Sequence, residues 1–181
     1  MKQPKWLLPF KGTTIIQDLI NALVLSGFED ILTVAAEPYG SRIERHLENS
    51  ASKVLWNHRP EEGMLSSVRI GLRGLSSNSH AAVVIPADHA GLKVSTLKAV
   101  VAGNQELSAA LVVAAFNGKR GHPLLIGRDF FEEVLSGCEE MGLRELLALH
   151  PDKIRYVETG DPAVVRDIDT PEDYQSLLAS L

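Results

Sequence analysis

The chain has 181 residues, 45% hydrophobic and 23% charged, a composition that suits one soluble globular domain with a continuous core and excludes disordered and fibrous classes. Its 18 basic and 23 acidic side chains give a formal charge of -5, so no general attraction to nucleic acid or to an anionic membrane is expected, and a polyanionic ligand must be held locally. The single cysteine, Cys138, allows neither an internal disulfide nor a thiolate metal site, no apolar run reaches the ~20 residues of a membrane span, and no signal-peptide core follows Met1, so the expected compartment is the cytoplasm.

In chain order, residues 14 to 26 carry Ile15, Ile16, Leu19, Ile20, Leu23 and Val24 at helical spacing and stop at Gly27, which predicts the first helix. β-rich runs at Ile31 to Ala36, Val54 to Trp56, Ala81 to Ile85 and Ala110 to Phe116 predict strands. Further helical patterns lie at 64 to 74, 93 to 103, 128 to 136, 143 to 149 and 171 to 180. The runs Ala82-Val83-Val84-Ile85 and Ala110 to Ala115 are apolar at successive positions, as strands covered on both faces require. The pattern predicts a three-layer α/β/α sandwich with a mostly parallel sheet, folded as a single domain over residues 1–181. In such sheets ligands sit at the carboxyl ends of the strands, so chemistry is expected just after each strand.

Several segments fall at those places. Asp88 follows the strand at 81 to 85, where a carboxylate can hold Mg²⁺ or simply stabilise a turn, and His89 beside it can ligate or shuttle a proton. Near the C-terminus, Asp167-Ile168-Asp169-Thr170-Pro171-Glu172-Asp173 puts two carboxylates ahead of a marked helix start, with Thr170 as N-cap and Pro171 in the first turn. Residues two apart in an extended run share a face, so Asp167 and Asp169 either look into a cleft together or merely solvate the helix end. The stretch from Asn57 to Ser67 leads into a helix whose first turn carries Ser66 and Ser67, suited to phosphate or ribose oxygens or to plain capping. The basic turn Asn117-Gly118-Lys119-Arg120-Gly121-His122-Pro123 suits an anionic substrate or a solvated hairpin. Lys5 lies ahead of the first helix.

Together, Met1-Lys2-Gln3-Pro4-Lys5, the Asn57 to Ser67 piece with Gly63-Met64, the strand ending at Asp88, Gly121-His122-Pro123, and Asp167-Ile168-Asp169-Thr170-Pro171 resemble, in order, the MobA-like NTP transferase family of molybdenum-cofactor cytidylyltransferases and guanylyltransferases. The resemblance implies a nucleotide-diphospho-sugar transferase-like fold and transfer of a nucleoside monophosphate from an NTP to a phosphate-bearing acceptor, with release of pyrophosphate. It implies that Lys5 neutralises the triphosphate, that Asn57, Gly63, Ser66 and Ser67 surround base and ribose, and that Asp88 and Asp169 hold Mg²⁺ with Asp167 beside them. The loop Gly121-His122-Pro123 would face the acceptor, molybdopterin or a form of the molybdenum cofactor, and it favours CTP over GTP.

Two departures accompany the resemblance. Family members begin with a strand and a glycine-rich, arginine-containing loop ahead of the piece that this chain enters at Met1, so the expected domain is truncated at its N-terminus, with open strand edges that make self-association into a homo-oligomer reasonable. Asp88-His89-Ala90 also stands where the family has Asp-Gln-Pro. A non-catalytic nucleotide-binding or regulatory relative is the alternative that the first departure leaves open. A transferase for sugar phosphates or isoprenoid precursors is a further one.

Overall fold

A computed structural model describes residues 4–105 and 111–180 of the chain. Met1 to Gln3, where the resemblance begins, and Ala110, expected to open a strand, lie outside these residues.

The N-terminal segment forms a small antiparallel hairpin, β1 (Pro9–Phe10) and β2 (Thr13–Thr14), before α1 (Ile15–Leu25). Thr14 caps α1 by accepting the Gln17 N–H at 3.4 Å, and Ile15, Ile16, Leu19 and Ile20 turn inward at the spacing read from the sequence. β3 (Ile31–Ala35) and β4 (Ser52–Trp56) pair in parallel from Ile31 opposite Ser52 to Ala35 opposite Trp56, joined through α2 (Gly40–Leu47). The sequence reading missed α2. Only Gly40, Ile43 and Leu47 of it are buried, among exposed charged residues, so its apolar stripe is one residue wide per turn.

After α3 (Met64–Gly74) come β5 (Ala81–Val84), α4 (Val94–Gln105), β6 (Leu111–Phe116), β7 (Lys119–Gly127), α5 (Phe131–Ser136), α6 (Leu143–Leu149), β8 (Ile154–Glu158) and α7 (Pro171–Ala179). β5, β7, β6 and β8 form one sheet in that order, with β6 and β8 parallel and β7 alone running counter to its neighbours. One face packs Leu111, Val113, Leu124 and Ile126 against α3, α5 and α6. The other face packs Val112, Ala114 and Leu125 against Leu19 of α1 and Val100 of α4. Alternate residues of one strand thus enter opposite cores, which is the physical content of the three-layer α/β/α sandwich and the reason these strands are apolar throughout.

Among the described residues, β3 is hydrogen-bonded to β4 only and β5 to β7 only. Both strands line one apolar cavity of about 620 Å³, floored by Ile16, Leu19, Ile20, Val68 and Leu72. Asp30, just ahead of β3, accepts the Ser76 N–H at 2.8 Å and ties the amino ends of the two sheets together. The opposite end of the cavity is bordered by Met64, Ser67, Pro86 and Ala87, at the carboxyl end of β5. No helix among the described residues is long and apolar enough to cross a membrane.

Candidate functional site

The carboxyl ends of the strands gather residues from three distant stretches because the apolar neighbours of those residues share one core. Leu8 and Phe10 from the N-terminal hairpin region, Ala90 from the turn after β5, Ile168 from the run before α7 and Leu177 from α7 itself pack together. Tyr174 of α7 adds a hydrogen bond, its hydroxyl donating to the Pro9 carbonyl at 2.5 Å. Ile168 is fully buried while its neighbours Asp167 and Asp169 are exposed, so the Asp-Ile-Asp run is anchored by its middle residue and turns both acids to the surface.

Those anchors bring Lys5 between two carboxylates. Its Nζ donates to Asp169 Oδ1 at 2.6 Å and lies 3.7 Å from Asp88 Oδ2. The bond to Asp169 is the main reason the Lys5 ammonium is held above its ordinary value, against the opposing effect of burial. Asp169 is available for this contact because Asp173 does the capping. Asp173 Oδ2 accepts the Thr170 N–H at 2.7 Å and the Asp169 N–H at 3.1 Å, while Thr170 Oγ1 accepts the Asp173 N–H at 3.1 Å, a complete capping box. The Thr170 hydrogen bonds hold the Asp173 carboxyl below the usual carboxylate range.

Beside this trio lies a second group. His89, 3% exposed, sets Nδ1 against the Ala163 carbonyl at 3.1 Å and Nε2 against Asp167 Oδ1, also at 3.1 Å. Its ring meets that of His122 edge to face, with centroids 5.1 Å apart. His122 Nδ1 reaches the Val84 carbonyl at 3.3 Å, and burial, reinforced by the neighbouring His89, pushes this imidazole below its ordinary value. One ligand atom each from Asp88, His89 and Asp167 lies within 4.8 Å of the others, a spacing that can hold a metal ion. Buried Asp161 fixes the segment that supplies Ala163. Its carboxylate accepts the Ala163 N–H at 3.1 Å, the Lys93 N–H at 2.9 Å and the Thr96 hydroxyl at 2.8 Å, joining the start of α4 to the approach to Asp167. The sequence reading passed over Asp161, although Asp161-Pro162 ahead of a short helical turn is a legible capping signal.

The Asn57 to Ser67 stretch makes a cluster of its own. Asn57, 3% exposed, donates to Ser66 Oγ at 2.8 Å and Ser67 Oγ at 2.9 Å, and its carbonyl oxygen accepts the Arg59 N–H at 2.9 Å. Ser66 in turn donates to the Gly63 carbonyl at 2.7 Å, and Gly63 turns the chain into α3 with φ of +83°. Asn57 and Ser66 therefore shape this loop from inside. Of these two serines it is Ser67 that lines the cavity, with Ala87 of the Asp88 turn at the same mouth.

The segment expected as a loop from Asn117 to Pro123 is divided differently. Only Asn117 and Gly118 form the turn, both at positive φ (51° and 72°), as an Asn-Gly hairpin requires, and Gly121, His122 and Pro123 lie within β7. A Cβ at Gly121 would overlap the Val164 carbonyl, and Pro123 is buried. Of the three, His122 faces the site.

Comparison with known proteins follows the same lines. A family model described as the MobA-like NTP transferase domain matches residues 1–156. Nicotine blue oxidoreductase of Paenarthrobacter nicotinovorans is 26% identical over 184 residues, covering 97% of this chain and 88% of that protein. Rv0371c of Mycobacterium tuberculosis H37Rv superposes with a TM-score of 0.84 at 21% identity, over 98% of this chain and 89% of the other, and a structure of it in complex with manganese gives 0.80. A nucleotidyl transferase from Methanothermobacter thermautotroptrophicus gives 0.81 at 18% identity, over 97% of this chain and 84% of that one. These likenesses establish the nucleotidyltransferase-like α/β fold.

Proposed function

The chain belongs to the MobA-like NTP transferase family, and on that footing we propose that it transfers a nucleoside monophosphate from an NTP, CTP in the first place, to a small phosphate-bearing acceptor such as molybdopterin. An acceptor phosphate oxygen forms a bond to the α-phosphorus, the bond from that phosphorus to the bridging oxygen breaks, and the electron pair leaves with pyrophosphate. Transfer of this kind asks the protein for alignment and for neutralisation of phosphate charge more than for covalent chemistry.

The observation that carries the reading is the convergence of Lys5, Asp88 and Asp169 at the carboxyl end of β5. The residues fit a divalent cation: the donors are hard carboxylate oxygens, and the Lys5 ammonium already stands between two of them as a charge substitute. Asp88 and Asp169 would hold Mg²⁺ or Mn²⁺, with Asp167 beside them, and the bound cation would supply charge neutralisation to the triphosphate. Lys5 exchanges its carboxylate partners for phosphate oxygens when the nucleotide arrives. Ser67, at the mouth of the cavity, contacts the nucleoside, while Asn57, Ser66 and Gly63 keep that wall in shape. His122 faces the acceptor side, and Gly121 and Pro123 hold β7 in the register that presents it.

Support from relatives is of two kinds: one solved neighbour is a nucleotidyl transferase by name, and another is a complex with manganese. The test is to incubate the protein with each NTP in turn, a divalent cation and phosphorylated acceptors, and to measure pyrophosphate. CTP-dependent release that needs an acceptor supports the proposal. Absence of release with every NTP, together with retained nucleotide binding, favours a non-catalytic binding module.

A further inference from the structure

Among the described residues, β3 and β5 each have a strand neighbour on one side only, and both run along the apolar cavity on the other. A strand bonded on one side directs the N–H and C=O groups of alternate residues to the other, and such groups in a protein interior are almost always paired. Burial shows the same break. Leu32, Val34, Val83 and Val84 are only half-buried, whereas Val112, Val113, Ala114 and Ala115 of β6, inside its sheet, are at most 4% exposed. Helices cover both faces of the gap, α1 with Leu19 and Leu23 on one and α3 with Val68 and Leu72 on the other. The gap thus has the walls of an interior strand position, with a strand edge on each side and a helix above and below.

We propose that this gap is a docking slot for an extended segment of a partner polypeptide, which enters as a parallel strand between β3 and β5 and joins the two sheets into one. Size supports it. The rise, strand spacing and layer thickness of packed sheets allot roughly 160 Å³ to each strand residue, so the cavity of about 620 Å³ holds a stretch about as long as β5. With helices on both faces, every position of that stretch must be apolar, and backbone hydrogen bonds to two edges supply the affinity. Charge sets the direction. The amino end of the slot carries exposed Glu29 and Asp30, neither paired with a basic side chain among the described residues, whereas Met64, Ser67, Pro86 and Ala87 at the carboxyl end are uncharged. A segment with basic residues ahead of its apolar run is therefore drawn in parallel to β3 and β5. Its carboxyl end emerges at Ser67 and Ala87, beside the Asp88 turn. The proposal does not depend on the transfer reading.

The test mixes the full chain with a synthetic peptide, Lys-Lys-Val-Ala-Val-Val-Ala-Gly-Ser, and follows binding by isothermal titration and amide protection by hydrogen exchange. The expected result is a single peptide per chain, with amides of both β3 and β5 exchanging at least about tenfold more slowly and those of β8, an edge strand elsewhere, unchanged. A proline at the middle apolar position, which removes a strand donor, should abolish binding. Glutamates in place of the two lysines should weaken it at least about fivefold. Absence of binding overturns the proposal, as does protection of only one of the two strands, or equal binding of the proline or glutamate peptide. Amides of β3 and β5 that are already protected in the free chain also overturn it, because the protein then closes the slot with its own residues. Only the peptide is varied, so no outcome turns on the folding of a substituted protein.

Discussion

Lys5 donates a 2.6 Å hydrogen bond to Asp169 across 164 residues of sequence. The two meet because Leu8 and Ile168, their near neighbours in the chain, are buried in the same apolar cluster. The pair is a charge placed where the account puts a cation and a triphosphate. Replacing Lys5 with Ala should therefore have opposite effects on two measurements. Divalent metal should bind more tightly in isothermal titration, since an ammonium no longer competes for Asp88 and Asp169, while NTP-dependent pyrophosphate release should fall by about tenfold or more. Loss of both together would mean that Lys5 only holds the site in shape.

Gly121 separates a packing role from an acceptor-binding one. Its α-carbon lies against the Val164 carbonyl with no room for a Cβ. Gly121→Ala should lower stability by about 2 kcal/mol or more, seen as a drop in thermal midpoint, because backbone on one side and a strand on the other leave nothing flexible to yield. An unchanged midpoint with a raised KM for the acceptor would instead return Gly121 to the acceptor surface.

Asn57 makes a similar contrast with Ser67. Asn57→Ala strips hydrogen bonds from Ser66, Ser67 and the Arg59 N–H in a buried setting and should cost about 1–3 kcal/mol. Ser67→Ala removes one of those bonds and leaves the one from Asn57 to Ser66, so it should cost less than Asn57→Ala, about 1 kcal/mol, and weaken nucleotide binding, as equilibrium dialysis with CTP would show. The reverse pattern would contradict the division between a shaping residue and a contacting one.

Much of this was legible beforehand, and the reasons are local. α1, α3, α6 and α7 carry strong helical spacing or caps, and their observed bounds match the expected ones to within a residue. β5 and β6 were visible as unbroken apolar runs. β8, Ile154-Arg155-Tyr156-Val157-Glu158, was not, because it is half exposed and its signal is a weak alternation. β7 hid behind Gly121 and Pro123, both unusual in a strand. For the site, Asp88 and Asp169 could be placed from their positions after a strand and before a cap. His89 could not be weighed, since its significance depends on Ala163 and Asp167, which only the folded chain brings to it.

The capping box offers a pH signature. Hydrogen bonds from Thr170 hold Asp173 below its unfolded value of about 3.9, so the folded state favours the carboxylate and its contribution is fully present above that pH and lost as pH falls below it. Asp173→Asn should be less stable than the parent at pH 7, and the gap in thermal midpoint should narrow as the buffer is taken below about pH 4. A gap independent of pH would show that the charge of Asp173 has no part in holding the turn that presents Asp169.

The most direct test is a crystal structure of the protein soaked with Mn²⁺ and a non-hydrolysable CTP analogue, with diffraction collected at the manganese edge. The account predicts an anomalous peak within about 2.5 Å of an Asp88 carboxylate oxygen, with the triphosphate beside it and Lys5 moved from Asp169 onto a phosphate. Metal and triphosphate bound away from Asp88, with Lys5 still paired to Asp169, would contradict it.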